Sequence, residues 1–267
     1  MSHGGSSEVA SFFDAGELSH DAFLGGRLVL GQPRKGYRAA TDPVFLAAAT
    51  PAKPGDAVLE LGIGTGAATL CLARRVGGLL LSGLELNPEY LELACENAAA
   101  NSVEVVLHLG DVATPPVALR QQSFDHVILN PPFFDAKASP SSIPGRDLAR
   151  REAGPDLAAW IACALARLRP GGWLCMIHRV ERLPEILAEI GSNAGDVSVM
   201  PLAARAGRPA KRIVLRARKG SRGGFRLLAP LVLHAGAAHH SDGDDYTPAA
   251  SAILRDAGPL NFEENCG

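Results

Sequence analysis

The segment Leu59-Glu60-Leu61-Gly62-Ile63-Gly64-Thr65-Gly66 limits this chain more than any other. Asp56 to Leu61 reads as a short apolar strand, and Thr65 to Val76 has the spacing of a helix that stops at Gly77-Gly78. Three glycines at a strand-to-helix junction let the main chain approach a ligand that Cβ atoms would keep away. The spacing is G-x-G-x-G, with the third glycine one position earlier than in the dinucleotide pattern, and an acid, Glu60, stands just before it. Such a junction belongs to an open α/β sheet, whose ligands lie beyond the carboxyl ends of the strands.

The alternation continues downstream. Leu79 to Glu85 is expected as a strand, Pro88 to Asn101 as a helix with proline in its first turn, and Val103 to Leu109 and Phe124 to Leu129 as strands. A helix from about Pro155 to Leu168 should break at Arg169-Pro170-Gly171-Gly172, before strand Trp173 to His178 and helix Leu183 to Ile190. This is the pattern of a doubly wound, mostly parallel sheet. Lys211 to Arg218 and Phe225 to His234 also read as strands, but the connection between them is too short for a parallel crossover, so an antiparallel hairpin is expected. Residues 21–255 are expected as one domain, with 21–54 on the ligand side and 55–220 as its core, between a flexible leader (1–20) and a tail (256–267).

Apolar residues make up 47% of the 267, enough for a full core. No run approaches the roughly 18 apolar residues of a membrane span, and the amino terminus lacks an export signal, so a soluble protein without membrane contact is expected. Five widely spaced cysteines with no C-x-x-C imply a reducing, cytoplasmic compartment. No metal is expected, because His239, His240, Asp242, Asp244 and Asp245 match no zinc or calcium spacing and read as an acidic turn. The net charge of -2 hides a basic stretch: Arg205, Arg208, Lys211, Arg212, Arg216, Arg218, Lys219, Arg222 and Arg226, with no acid among them. Such a stretch suits a polyanion, or is a solvated strand and turn.

Two further strand ends carry acids: Glu85, 19 residues after Gly66, and Asp111 after Gly110. With E-x-G-x-G-x-G at residues 60–66, the chain resembles the class I S-adenosylmethionine-dependent methyltransferases. That resemblance implies a Rossmann-like, seven-stranded sheet with an antiparallel C-terminal hairpin, and S-adenosyl-L-methionine as cofactor. It also implies a cofactor set of Glu60, Gly62, Gly64, Gly66, Glu85, Asp111 and Asn130, with the glycines under the methionine part, Glu85 on the ribose and Asp111 on the adenine amine.

Asn130-Pro131-Pro132-Phe133 resembles the turn of amine-directed methyltransferases acting on adenine N6, guanine N2 or glutamine side chains. Its prolines fix the backbone and remove two amide donors. The Asn130 side-chain oxygen and the Pro131 carbonyl can accept both hydrogens of a conjugated amine and favour a pyramidal nitrogen, without a strong base. Phe133 offers a stacking face worth about 1 to 3 kcal/mol per base.

Asp21 to Arg27, Gln32 to Asp42, His178-Arg179, the Arg205 to Ser221 stretch and Tyr246-Thr247-Pro248 are together similar to the bacterial valine-tRNA adenine-N6 methyltransferase family. The implied substrate is the adenosine 3′ of the anticodon, a base already partly unpaired. The expected phosphate contacts are Arg34, Lys35, Arg38, Arg205, Arg208, Lys211, Arg212 and Lys219. His178 is expected in a structural or RNA-contacting role, and Asp42 as a helix cap or, second, as a residue that helps close the cofactor site. A protein glutamine methyltransferase, another RNA or small-molecule methyltransferase, and a noncatalytic RNA-binding protein of the same fold remain as alternatives.

Overall fold

The computed structural model describes residues 12–132, 156–236 and 245–262. Strands β1 (Leu18–Phe23) and β2 (Leu28–Pro33) form an antiparallel hairpin that the sequence did not announce, with Leu18 opposite Pro33 and Phe23 opposite Leu28. It takes in Leu18, Ser19 and His20 from the expected leader. Helix α1 (Asp42–Ala49) follows, then the alternation β3 (Ala57–Leu61), α2 (Ala67–Arg75), β4 (Leu80–Glu85), α3 (Pro88–Ala100), β5 (Val105–Leu109), α4 (Val117–Arg120), β6 (Phe124–Leu129), α5 (Leu157–Arg167), β7 (Leu168–Arg179) and α6 (Leu183–Ile190). After these come β8 (Ala194–Ala203), β9 (Arg212–Lys219), the two-residue strands β10 (Arg226–Leu227) and β11 (Leu231–Val232), and helix α7 (Pro248–Asp256).

The main sheet runs β10-β8-β9-β7-β6-β3-β4-β5, with β11 also on β8. Strands β3 to β7 pair in parallel, and β9 is inserted antiparallel between β7 and β8. Successive residues point to opposite faces, and both faces are covered. Val58, Ile128, Cys175 and Val214 pack with α1 and α2, whereas Leu59, Val127, Leu174 and Leu215 pack with α5 and α6. The centre of the sheet is therefore dry, and polar side chains collect at its two ends.

The expected hairpin of 211–218 with 225–234 is not formed. The antiparallel partner of β9 is β8, and residues 226–227 and 231–232 run parallel to β8 instead. Gly223-Gly224 and Pro230 interrupt the later segment, while β8 hides its strand character behind Gly195, Pro201 and a register shift between Gly195 and Ser198. Arg169 to Gly172 is likewise no break: it is absorbed as a bulge inside β7, between the pairs Phe124–Leu168 and His126–Trp173. The direction of β9 has a functional consequence. Arg212 lies opposite Arg179 at the carboxyl edge, and Arg218 lies opposite Trp173 at the amino edge. Among the described residues, no helix is long and apolar enough to cross a membrane.

Candidate active site

The glycine loop is built by left-handed backbone. Gly62, Gly64 and Gly66 have φ of 66°, 54° and 86°, a region costly for any residue with a Cβ. At Gly62 a Cβ would also stand 2.5 Å from Trp160 Cη2 on α5. The Ile63 amide donates to Leu84 O at 3.0 Å, which ties the loop to the end of β4. Beneath it Glu60 is 3% exposed and accepts from Thr69 N at 2.9 Å and Thr69 Oγ1 at 2.5 Å, so it anchors the first turn of α2. Burial pushes the Glu60 carboxyl up to about 8, against the two Thr69 hydrogen bonds. It is therefore largely protonated at neutral pH and faces the helix start.

Glu85 ends β4 with both oxygens engaged: Oε2 accepts from Gly64 N at 2.9 Å, and Oε1 from Leu86 N at 3.0 Å and Asn87 N at 2.9 Å. Three amides hold the carboxylate in one orientation at the rim, and a carboxylate has about four acceptor positions, so capacity for a ligand hydroxyl remains. The Gly110 amide donates to Glu85 O at 2.8 Å, which brings the end of β5 alongside. There Asp111 Oδ1 accepts from Ala113 N at 2.8 Å.

Asn130 directly follows β6, whose neighbours are β3 and β7. Its Oδ1 is buried and has no hydrogen-bond partner among the described residues. Leaving a buried acceptor unpaired costs about 1 to 3 kcal/mol, which a ligand hydrogen at this position would recover. Pro131 is buried beside it, and Phe133 lies outside the described residues.

Sequence reasoning missed Tyr37. Its amide donates to Tyr90 Oη at 3.1 Å, and its half-exposed ring stands 3.6 Å from where a Gly64 Cβ would be. Desolvation of the hydroxyl, with the negative charge of Glu60, Asp42 and Glu85 adding, raises its pKa above the usual tyrosine value, so the phenol stays protonated at neutral pH. Asn97 was missed too: it accepts from Gly31 N at 2.7 Å and donates to Gly31 O at 3.0 Å and Thr65 O at 2.9 Å, linking β2 and α3 to the glycine loop. Two helical asparagines four residues apart, Asn97 and Asn101, were the available signal.

The basic residues divide. Arg38 is bound to Asp21 (2.6 Å) and Ser19 Oγ, and Arg34 donates to Gly16 O at 3.2 Å. Lys35 is exposed. Arg205 pairs with Asp245 and reaches the carbonyls of Ala235 and Gly236, while Arg212 pairs with Asp42 at 3.0 Å. Asp42 is thus no cap: Thr41 holds that position, without a side-chain hydrogen bond. Arg208 and Lys211 are exposed at the carboxyl edge. Lys219 does not join them, for it lies at the amino edge and donates to Leu168 O at 2.7 Å.

His178 is 1% exposed, so its ring is enclosed at the end of β7 and not presented at the surface. Burial, aided by the Arg182 charge, lowers its imidazole to about 4, so it is neutral at pH 7. His239, His240, Asp242 and Asp244 lie outside the described residues. Asp245 bridges Arg205 and His234 Nδ1 (2.6 Å). Among the described residues, no group of three or more His, Cys, Asp or Glu side chains is arranged to hold a metal ion.

Residues 41–194, spanning the glycine loop, Glu85, Asp111 and Asn130, match the family model of the methyltransferase small domain. The chain belongs to that family. This methyltransferase small domain protein is 28% identical over 179 residues to the tRNA1(Val) (adenine(37)-N6)-methyltransferase of Cronobacter sakazakii, covering 66% of this chain and 70% of that one. Its identity to the protein of the same name in Porphyromonas gingivalis is 32% over 174 residues, covering 62% and 68%. Among solved structures, it is similar to a predicted O-methyltransferase from Agrobacterium tumefaciens (TM-score 0.65, 26% identity, 82% of this chain and 98% of that one). It shares its fold with the 16S rRNA N2 G1207 methyltransferase of T. thermophilus in complex with AdoMet and guanosine (TM-score 0.54, 22% identity, 76% and 50%).

The protein is an S-adenosylmethionine-dependent methyltransferase. Its residues fit that cofactor: a left-handed glycine loop open to close approach, a carboxylate fixed by three amides, and on the same rim a buried acceptor without a partner among the described residues. Gly62, Gly64, Gly66, Glu85 and Asp111 would hold it, and when bound it supplies an electrophilic methyl group on positively charged sulfur.

Proposed function

We propose that this protein methylates the exocyclic N6 amine of an adenosine in the anticodon loop of a valine tRNA. The observation that carries the reading is the buried Asn130 Oδ1 at the carboxyl edge, which has no hydrogen-bond partner among the described residues and stands beside two prolines that remove competing donors. An adenine amine is planar because its lone pair is delocalised into the ring. Asn130 Oδ1 accepts one amine hydrogen, with the Pro131 carbonyl proposed for the other, and these bonds favour the pyramidal nitrogen whose lone pair is free to react. The nitrogen gains the methyl group and sheds one proton, which becomes acidic as the bond forms and passes to water. No histidine base is required, in keeping with the burial and neutrality of His178. Phe133 is assigned the stacking face for the base.

The relatives' names support tRNA as substrate, and so does the charge at the carboxyl edge. Arg34, Lys35, Arg38, Arg205, Arg208, Lys211 and Arg212 are the proposed positioning residues, with Arg38, Arg205 and Arg212 already oriented by carboxylates. Lys219 is withdrawn from that set by its place at the opposite edge.

Asn130→Ala tests the reading. Cofactor and tRNA should bind as before, while single-turnover methylation of tRNA falls on the order of 100-fold or more. Asn130→Asp, which keeps an acceptor, should retain part of the rate. Wild-type turnover in Asn130→Ala would show that the turn is only architecture.

A further inference from the structure

Beside α1 lies a cleft of about 710 Å³ whose cations the reading above assigns to the RNA without saying which part of it they hold. Two kinds of cation line it. Arg205 and Arg212 are fixed by Asp245 and Asp42, whereas Arg208 and Lys211 are exposed and have no carboxylate partner among the described residues. The floor is apolar: Phe45 is 1% exposed and Leu202 4%. A track for phosphates alone needs no apolar floor, and an apolar ligand needs no unpaired cations. A volume of this size suits a small organic group held by a few polar anchors.

Position narrows the occupant. Arg212 lies opposite Arg179 at the end of β7, and β7 borders β6, which Asn130 directly follows. Two strand spacings separate the cleft wall from Asn130, about 10 Å, so a single RNA strand can reach both. Thr41 and Asp42, on the cleft's other wall, follow directly from the segment that places the Tyr37 ring over Gly64.

We infer that this cleft binds a nucleotide neighbouring the methylated one, gripping its phosphate with Arg208 and Lys211 and seating its base on the floor formed by Phe45 and Leu202. The inference rests on the RNA reading and sharpens it, since it makes the enzyme measure the neighbour of its target as well as the target. Unlike the cations at the far end of β9, which are bonded to main-chain carbonyls, these two have charge to give to a ligand.

The test is fluorescence anisotropy with a labelled single-stranded oligoribonucleotide of the valine anticodon loop, at several salt concentrations. Combining Arg208→Ala with Lys211→Ala should weaken binding at least about tenfold and flatten the salt slope by about 0.7 for each phosphate no longer neutralised. Combining Arg218→Ala with Arg222→Ala, at the amino edge, should change neither. Abasic sugars beside the target adenosine should weaken binding to wild type and have little further effect on the cleft variant. An oligoglutamate of equal charge should compete poorly.

Equal effects of the two double variants, no effect of the abasic sugars, or full competition by oligoglutamate would overturn the proposal. The two readings fail separately. Oligonucleotide binding with these signatures, but no RNA methylation by wild type, would count against the function alone. Methylation with an unchanged KM and salt slope in the cleft variant would count against the cleft alone.

Discussion

Asp125 and Asn130 sit near opposite ends of the same strand, β6, and the fold treats them differently. Asp125 accepts from Ala57 N at 2.9 Å and from Arg169 at 2.7 and 2.8 Å, and neighbouring His126 is bound to Asp56 at 2.9 Å. Asn130 Oδ1 is buried and, among the described residues, has nothing to accept from. The contrast repeats along β9, where Lys219 and Arg218 are occupied by the carbonyls of Leu168 and Gly171 at the amino edge. At the carboxyl edge a carboxylate aims Arg212, and Arg208 and Lys211 stay open. The carboxylates and cations named at the amino edge are committed to holding the sheet together, although His126 Nδ1 there is also buried without a partner among the described residues. Asn130, Arg208 and Lys211 at the carboxyl edge, by contrast, keep capacity for a ligand.

Substitutions on the two edges should therefore differ in kind. Glu85→Ala removes an acceptor that three amides orient toward the rim, and charge-assisted hydrogen bonds are worth about 1.5 to 3 kcal/mol. Calorimetry should show cofactor affinity reduced tenfold or more in a folded protein; unchanged affinity would remove Glu85 from the site.

Glu60→Gln gives a smaller effect, visible in its pH dependence. The folded-state value of about 8 lies above the ordinary 4.5, so folding takes up a proton. The stabilisation is complete at low pH and fades as pH rises through that window, by at most about 1.4 kcal/mol per unit. Gln cannot titrate. Denaturant melts between about pH 6 and about pH 8 should show wild type losing stability relative to the variant by about 1 kcal/mol or more. Parallel curves would mean that Glu60 is ionised in the folded protein.

The smallest effect belongs to the amino edge. Arg169 is half exposed, and such surface pairs are worth about 0 to 1 kcal/mol. Arg169→Ala should lower stability by no more than that, with cofactor and RNA affinity unchanged. A large loss of RNA binding would blur the distinction between the edges.

The parallel strands were legible because each reads as an apolar run between punctuation residues, buried on both faces at the centre of the sheet and partly exposed in the edge strand β5. Gly62, Gly64, Gly66, Glu85, Asp111 and Asn130 were legible because each stands where a strand ends. Strand β8 was not, since Gly195, Pro201 and the register shift break its period, and missing it misassigned the partner of β9. That error carried over to Lys219. A lysine bears the same charge at either edge, and only the direction of β9 determines which edge it occupies. The hairpin β1–β2 and the clamp of Asn97 were equally obscure, because both draw their stability from contacts distant in sequence: Asn97 is 66 residues from Gly31.

The central claim is that the open acceptor of Asn130 serves methylation of an adenine amine in tRNA. Incubating bulk tRNA with the protein and S-adenosylmethionine, digesting to nucleosides and measuring them by mass spectrometry tests it most directly. Wild type should yield N6-methyladenosine, and an Asn130→Ala protein that still binds cofactor should yield almost none. Methyl groups on another nucleoside, methylation of protein and not RNA, or equal product from Asn130→Ala would contradict it.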